Sequence, residues 1–598
     1  MRKLSRITFI ALFGFLFFRA VSSLEIQSCS QIDEAFKNAV NGSDSVPCHC
    51  YQEQLVASRT DTLENDNIWI GCTKHNLSPI FKSLNAVNET FLSRLIIWDS
   101  LVNILPSDTF AMVRPRELAI KSSKLSIFRS GAFDKIGQRL KKLNLRSNII
   151  QSIDPDLFKE ITALEELDLS KNKISNLTKE IFDPLTELRV LLLDGNHLNN
   201  IDDGVFESLS NLKILNLANN KIRQIRKDTF KGLVNLEVLN LVGNQITRVD
   251  WSAFSHMKRL RVLNFGKNGL SKVELRGLES LQQFYLNNNQ IESLKDVKLR
   301  DLPSLSTLSF DRNGITTIGR EDLSGLGQST RLNSISFATN MIEDIDSRAF
   351  DPVHWITALS LQANSLAKLT SKSDETPYLR PLKKLRRLYL TGNRIQSIRD
   401  GELTSLEELE ELVLDHNRIE QVSKDAFRGL KLKKLFLNAN GLFFLPEGIF
   451  DDLNIDELEM VDLSGNSWEC VCSKEWLGLW LNSIGDANTP TGSLGCLEYN
   501  CTDVDQDRYH PVWVTGVAFC LTLVTVCCIV AIGYLLLQEG RRYWPGKKPV
   551  ASDKERLIPE SLSFPNPVNL PEPDPNERIP DRGTPKKENP DRKHVRFS

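Results

Sequence analysis

Fourteen asparagines recur in phase along this chain: Asn148, Asn172, Asn196, Asn220, Asn244, Asn268, Asn289, Asn313, Asn340, Asn364, Asn393, Asn417, Asn440 and Asn466. Their spacing is mostly 24 residues, with excursions to 21, 23, 26, 27 and 29. Each closes a Leu-x-x-Leu-x-Leu-x-x-Asn copy, as in Leu140, Leu143, Leu145 and Asn148. Two earlier copies are degenerate, Leu92, Leu95, Ile97 with Ser100 and Leu118, Ile120 with Ser123, which makes sixteen units. A unit this short cannot bury its apolar face alone, so the array must fold by stacking each coil on its neighbours. The 598 residues therefore do not divide into separate domains of roughly 150 residues each.

Each position in the unit has a physical reason. Leu143 and Leu145 are two apart, so on a strand both point to one side, into the coil. The asparagine stands where the chain turns away, and its amide can bond backbone groups that the turn leaves unpaired. A phenylalanine follows in most units (Phe110, Phe133, Phe158, Phe182, Phe206, Phe230, Phe254, Phe350, Phe427 and Phe450), placed to fill the interior opposite the strands.

This pattern resembles the leucine-rich repeat family in the 24-residue form common in extracellular receptors. The resemblance implies an α/β solenoid with a curved parallel β-sheet on the concave face and an irregular, short-helical convex side. The array is expected over residues 92–465, with cysteine caps at 24–91 and 466–505. Gly465-Asn466-Ser467-Trp468-Glu469-Cys470-Val471-Cys472, followed by Glu475-Trp476-Leu477, is similar to the family's C-terminal cap, with Ser467 replacing the usual proline. By resemblance Cys470 pairs with Cys496 and Cys472 with Cys501. In the N-terminal set Cys48-His49-Cys50 matches while Cys29 and Cys72 lie unusually far away, and the implied pairs are Cys29 with Cys50 and Cys48 with Cys72.

The two ends suggest a compartment. Arg2, Lys3 and Arg6, the apolar run Ile7 to Phe18 and the small residues to Ser23 read as a secretory signal, residues 1–23. Residues 512–537 carry no charge and exceed the roughly 20 residues that span a bilayer. Arg541, Arg542, Lys547 and Lys548 follow them, which orients a single-pass type I protein with its N-terminal side outside. Eleven cysteines then sort as four, four and three. The two even sets suit disulfides in an oxidising space, zinc ligation being the competing reading. Cys520, Cys527 and Cys528 fall within the spanning segment as small apolar residues, or as palmitoylation sites. Sequons begin at Asn41, Asn76, Asn88, Asn176 and Asn500, which would leave the C-terminal half of the concave face clear of glycans.

The outward central strand position reads Asn144, Asp168, Leu192, Asn216, Asn240, Asn264, Tyr285, Ser309, Ser336 and Ser360, most of them small and polar, and Asp462 on the last coil. Tyr389, Val413 and Phe436 break the trend on three successive strands, with Arg387, Glu411 and Lys434 at the preceding outward position. An aromatic strip with charged neighbours has the composition of a protein-binding hot spot. Lateral packing along the sheet would use the same residues. Ser371 to Pro377, in the 29-residue unit, is expected to bulge as padding or as a second contact beside the strip.

The tail, residues 538–598, holds eleven of the 24 prolines and no apolar periodicity, which predicts disorder. It is too short for a kinase or for a Toll-type signalling domain. Asp553 with Leu557 and Ile558 resembles an acidic dileucine sorting signal, and Lys593, Val595 and Phe597 resemble a docking motif for protein phosphatase 1. A formal charge of −2 and eight scattered histidines give no cue to nucleic acid, metal or acid–base catalysis. No enzyme and no cofactor are expected. The expected function is a plasma-membrane receptor or adhesion protein, acting in epithelial or neuronal development. It would bind a protein ligand through the concave face and act through a membrane co-receptor, a cytoplasmic adaptor or a phosphatase. The alternative is an anchor organising apical extracellular matrix.

Overall fold

In a computed structural model the described residues are 28–40, 45–52, 67–468, 476–477 and 480, all within the compact unit Met1–Thr502. Residues 1–23, Asn41, Asn500, the four C-terminal cysteines, the apolar segment 512–537 and the tail motifs lie outside them. Among the described residues no helix is long and apolar enough to cross a membrane.

The main sheet has eighteen strands. Two, Cys48–Gln52 and Ile68–Thr73, belong to the N-terminal region and pair antiparallel. Ile68–Thr73 then pairs in parallel with Thr90–Trp98, the first of the remaining sixteen strands, which stack in parallel to Met460–Asp462. The register sets leucine on leucine, as Leu191, Leu215 and Leu239 do on consecutive coils. These central leucines are fully buried and their strand neighbours half-exposed. The antiparallel strand occupies the first edge of the ladder, which would otherwise offer unpaired backbone groups to another chain.

The recurring asparagines stitch coil to coil. Asn220 Oδ1 accepts the Leu198 N–H (3.1 Å), while Nδ2 donates to the carbonyls of Leu217 in its own coil (3.1 Å) and Leu193 in the preceding one (2.9 Å). Asn172, Asn244 and Asn364 repeat the arrangement. One amide thus satisfies three backbone groups shut away from water. The serine copies reach less far: Ser100 and Ser123 hydroxyls donate only to the Trp98 and Lys121 carbonyls two residues back. Asn148 makes good the loss at the second of these, accepting the Ser123 and Leu125 N–H groups.

Behind the strands the phenylalanines form a spine. Phe182 and Phe206 pack at 5.9 Å between centroids, Phe230 and Phe254 at 5.7 Å, and Phe427 and Phe450 at 6.0 Å. Buried phenylalanines just past the strands add to the core, with Phe310 stacked on Phe337 at 5.3 Å. The back of the coils has the expected irregular, short-helical character, with few helices. It is built of turns, brief 3-10 segments and short parallel strand pairs, such as Gln224–Ile225 with Arg248–Val249 and Val273–Arg276 with Val297–Arg300. Units of 24 residues leave too little chain after the strand for regular helix.

The N-terminal cap closes through Cys29–Cys50 and Cys48–Cys72. Its helix Cys29–Ala39 starts on a capping box between Ser28 and Gln31, and Asp33 accepts the Cys50 N–H at 2.8 Å. At the other end Trp468 is buried and donates from its indole to the Leu463 carbonyl, and Trp480 stacks on Phe450 at 4.3 Å.

Candidate functional site

The sheet brings the predicted strip together. Tyr389 is in register with Val413, and Val413 with Phe436. All three are half-exposed, between fully buried Leu388, Leu412 and Leu435 beneath. Arg387, Glu411 and Lys434 form a second row beside them in the same register. The Tyr389 hydroxyl donates to Glu411 Oε2 at 3.1 Å, and Lys434 Nζ lies 3.4 Å from Glu459. Partial burial and the neighbouring Glu411 carboxylate push the Tyr389 phenol above its ordinary range. On the far side Asp415 accepts the Thr391 hydroxyl (2.6 Å) and contacts His416 Nδ1 (2.8 Å).

The structure explains the small polar residues elsewhere in this row. Asn144, Asn216, Asn240 and Asn264 each accept, through Oδ1, the N–H two residues on, at 2.9 to 3.1 Å. Asp168 and Asp462 do the same for Ser170 and Ser464. These are Asx turns that hold the chain as it leaves the strand. Tyr389, Val413 and Phe436 have no side-chain acceptor to make that bond. These three coils forgo that local support, as do the coils of Leu192, Tyr285, Ser336 and Ser360, and present three large side chains side by side.

Other carboxylates on this face serve the fold. Burial raises the Asp311 carboxyl above its usual range although it accepts the Ser336 hydroxyl and the Ala338 N–H, and burial likewise raises Asp194. Among the described residues no group of three or more His, Cys, Asp or Glu is placed to hold a metal. The Ser371–Pro377 insertion does not stand beside the strip. Lys372 N–H donates to Asp344 and the Ser347 hydroxyl to Asp374, which fastens the loop to the back of the preceding coil.

Asn76, Asn88 and Asn176 are exposed, and Asn76 lines a cleft of about 700 Å³ with Leu77, Phe81 and Leu101.

Two surfaces escaped the sequence reading. Val190, Ile214, Val238 and Val262 form a half-exposed aliphatic row, one outward position earlier than the central row searched for large residues. In the N-terminal region Tyr51 stacks on Trp69 at 4.2 Å and the Arg94 guanidinium lies 5.6 Å from the Trp69 ring. A Cβ on Gly71 would stand 2.9 Å from Trp69 and 3.0 Å from Trp98, so only glycine lets the two indoles close over this strand. Part of this cluster precedes the first recognisable repeat, so repeat counting could not find it.

Stacked parallel strands, an asparagine ladder and a phenylalanine spine define a repeat solenoid, and the model of the leucine rich repeat matches residues 138–198, 186–246, 235–291, 280–333 and 383–442. P-granule-associated novel protein 1 of Caenorhabditis elegans is 50% identical over 557 residues, spanning 90% of this chain and 92% of that protein. The chain belongs to the leucine-rich repeat family and is related to that nematode protein over about nine-tenths of both chains. Two solved structures share the fold. TLR13 in the TLR13–ssRNA13 complex superposes with a TM-score of 0.54 at 23% identity, over 70% of this chain and 56% of that one. The Toll–Spatzle complex of Drosophila gives 0.52 at 18% identity, over 72% of this chain and 66% of that one.

Proposed function

We propose that this protein is a cell-surface receptor or adhesion protein that binds a protein ligand through the Tyr389–Val413–Phe436 strip and acts through partners, without enzymatic activity of its own. The observation that carries the reading is the placement, on three adjacent coils, of large half-exposed side chains in a row that is otherwise mostly small and polar. Replacing Tyr389 and Phe436 together with Ala is expected to weaken ligand capture by full-length protein on cells about a hundredfold, two anchors at roughly 1–2 kcal/mol each. Circular dichroism should stay unchanged, because neither side chain is in the buried spine. Undiminished capture by a folded variant would sink the proposal.

The compartment is part of the same proposal. Two disulfides in the N-terminal cap suit an oxidising space, and residues 512–537 have the length and charge pattern of a membrane anchor. The name of the nematode relative supports a second reading, association with P granules. Labelling of intact cells with a membrane-impermeant amine reagent separates the two. The cell-surface reading expects modified lysines throughout residues 92–465 and none beyond residue 541; no labelling would favour the second, and labelling only beyond residue 541 would overturn the orientation.

A further inference from the structure

Resting on that reading of the strip, we propose the chemistry of what it binds: an extended segment of the protein ligand that alternates aliphatic and acidic side chains. The charges beside the strip are unevenly matched. Three strands carry Arg386 and Arg387, Glu410 and Glu411, and Lys433 and Lys434 in register. Arg386 lies 3.7 Å from Glu410, Lys434 is engaged by Glu459, and Glu411 is engaged by the Tyr389 hydroxyl. Arg387, which is exposed, and Lys433 have no ion-pair partner among the described residues. The flank therefore meets a ligand with two unpaired cations and one carboxylate, Glu411, that holds only a neutral hydroxyl, a net positive charge that a ligand carboxylate complements.

The apolar row fixes the shape of the segment. It crosses three strands at about 4.8 Å each, so Tyr389 and Phe436 stand roughly 10 Å apart, the span of about three extended residues. Buried leucines floor the row.

The test uses full-length protein and three fluorescent synthetic peptides, each about ten residues long, alternating leucine with glutamate, with lysine or with serine. By fluorescence anisotropy the glutamate peptide is expected to bind at least about tenfold more tightly than the other two, with an affinity that falls as salt rises. Arg387→Glu with Lys433→Glu should reverse the order of the glutamate and lysine peptides. Should the double variant fail to fold, Arg387→Gln and Lys433→Gln singly should each weaken the glutamate peptide about threefold. Equal binding of the three peptides, or an order unmoved by charge reversal, overturns the proposal. If Tyr389→Ala with Phe436→Ala abolishes ligand capture while charge reversal leaves it intact, the strip remains the binding surface and only the acidic partner is lost.

Discussion

Replacing Asn220 with Leu is expected to lower the unfolding free energy by about 1–3 kcal/mol, because the buried Leu198 N–H loses its acceptor and a buried donor left unpaired costs roughly that much. The Leu193 and Leu217 carbonyls each lose one of two amide donors and keep the other, from Asn196 and Asn244, and Asn220 itself is only 6% exposed. Leucine keeps the γ-branched shape and is larger than asparagine, so the substitution opens no cavity. In a solenoid the damage should spread to neighbouring coils and then fade. Hydrogen exchange ought to show lost protection from about residue 190 to 245, with the coils near residues 410–440 retaining theirs. Urea unfolding gives the magnitude; a shift below about 1 kcal/mol would mean that water replaces the amide and that the ladder is not what joins the coils.

Phe206→Ala is expected to cost about 3–5 kcal/mol, the usual penalty for emptying a buried phenylalanine site. Phe206 is fully buried, packed against Phe182, and stacked coils leave no flexible segment that could collapse into the space. Phe444→Ala is the matched control: that side chain is 64% exposed, and its loss should change stability by no more than about 0.5 kcal/mol. Thermal unfolding of the two variants side by side checks both values. Equal effects would show that the recurring phenylalanines are not the spine of the array.

The repeat was legible because its demands are local and repeated. An inward leucine, a turn asparagine and a spine phenylalanine each follow from one coil's geometry, and the same solution recurs every 24 residues or so. The partnership of Tyr389, Val413 and Phe436 could be read for the same reason, since a constant repeat converts sequence offset into lateral adjacency. The pairing of Cys29 with Cys50 and of Cys48 with Cys72 followed from likeness to other caps, and spacing alone would not have chosen it. The valine row at Val190 to Val262 was missed because one outward position alone was searched for large residues. The Gly71 cluster was missed because the chain around it is not a regular repeat. The insertion at Ser371 shows the opposite failure: its length was plain, but its attachment to Asp344 and Ser347 depends on which coil face lies behind it.

Taken alone, the sequence determined the stacking unit, its number of copies and which side chains enter the core, because these follow from strand alternation and from the need to bury apolar surface. Only the tertiary structure decided how far each asparagine reaches, which charges beside the strip are already neutralised, and which polar residues on the sheet face are turn supports. Those outcomes depend on distances of 3 to 4 Å between residues some twenty or more positions apart. Periodicity fixes which residues are neighbours; it does not say which neighbour wins a shared partner.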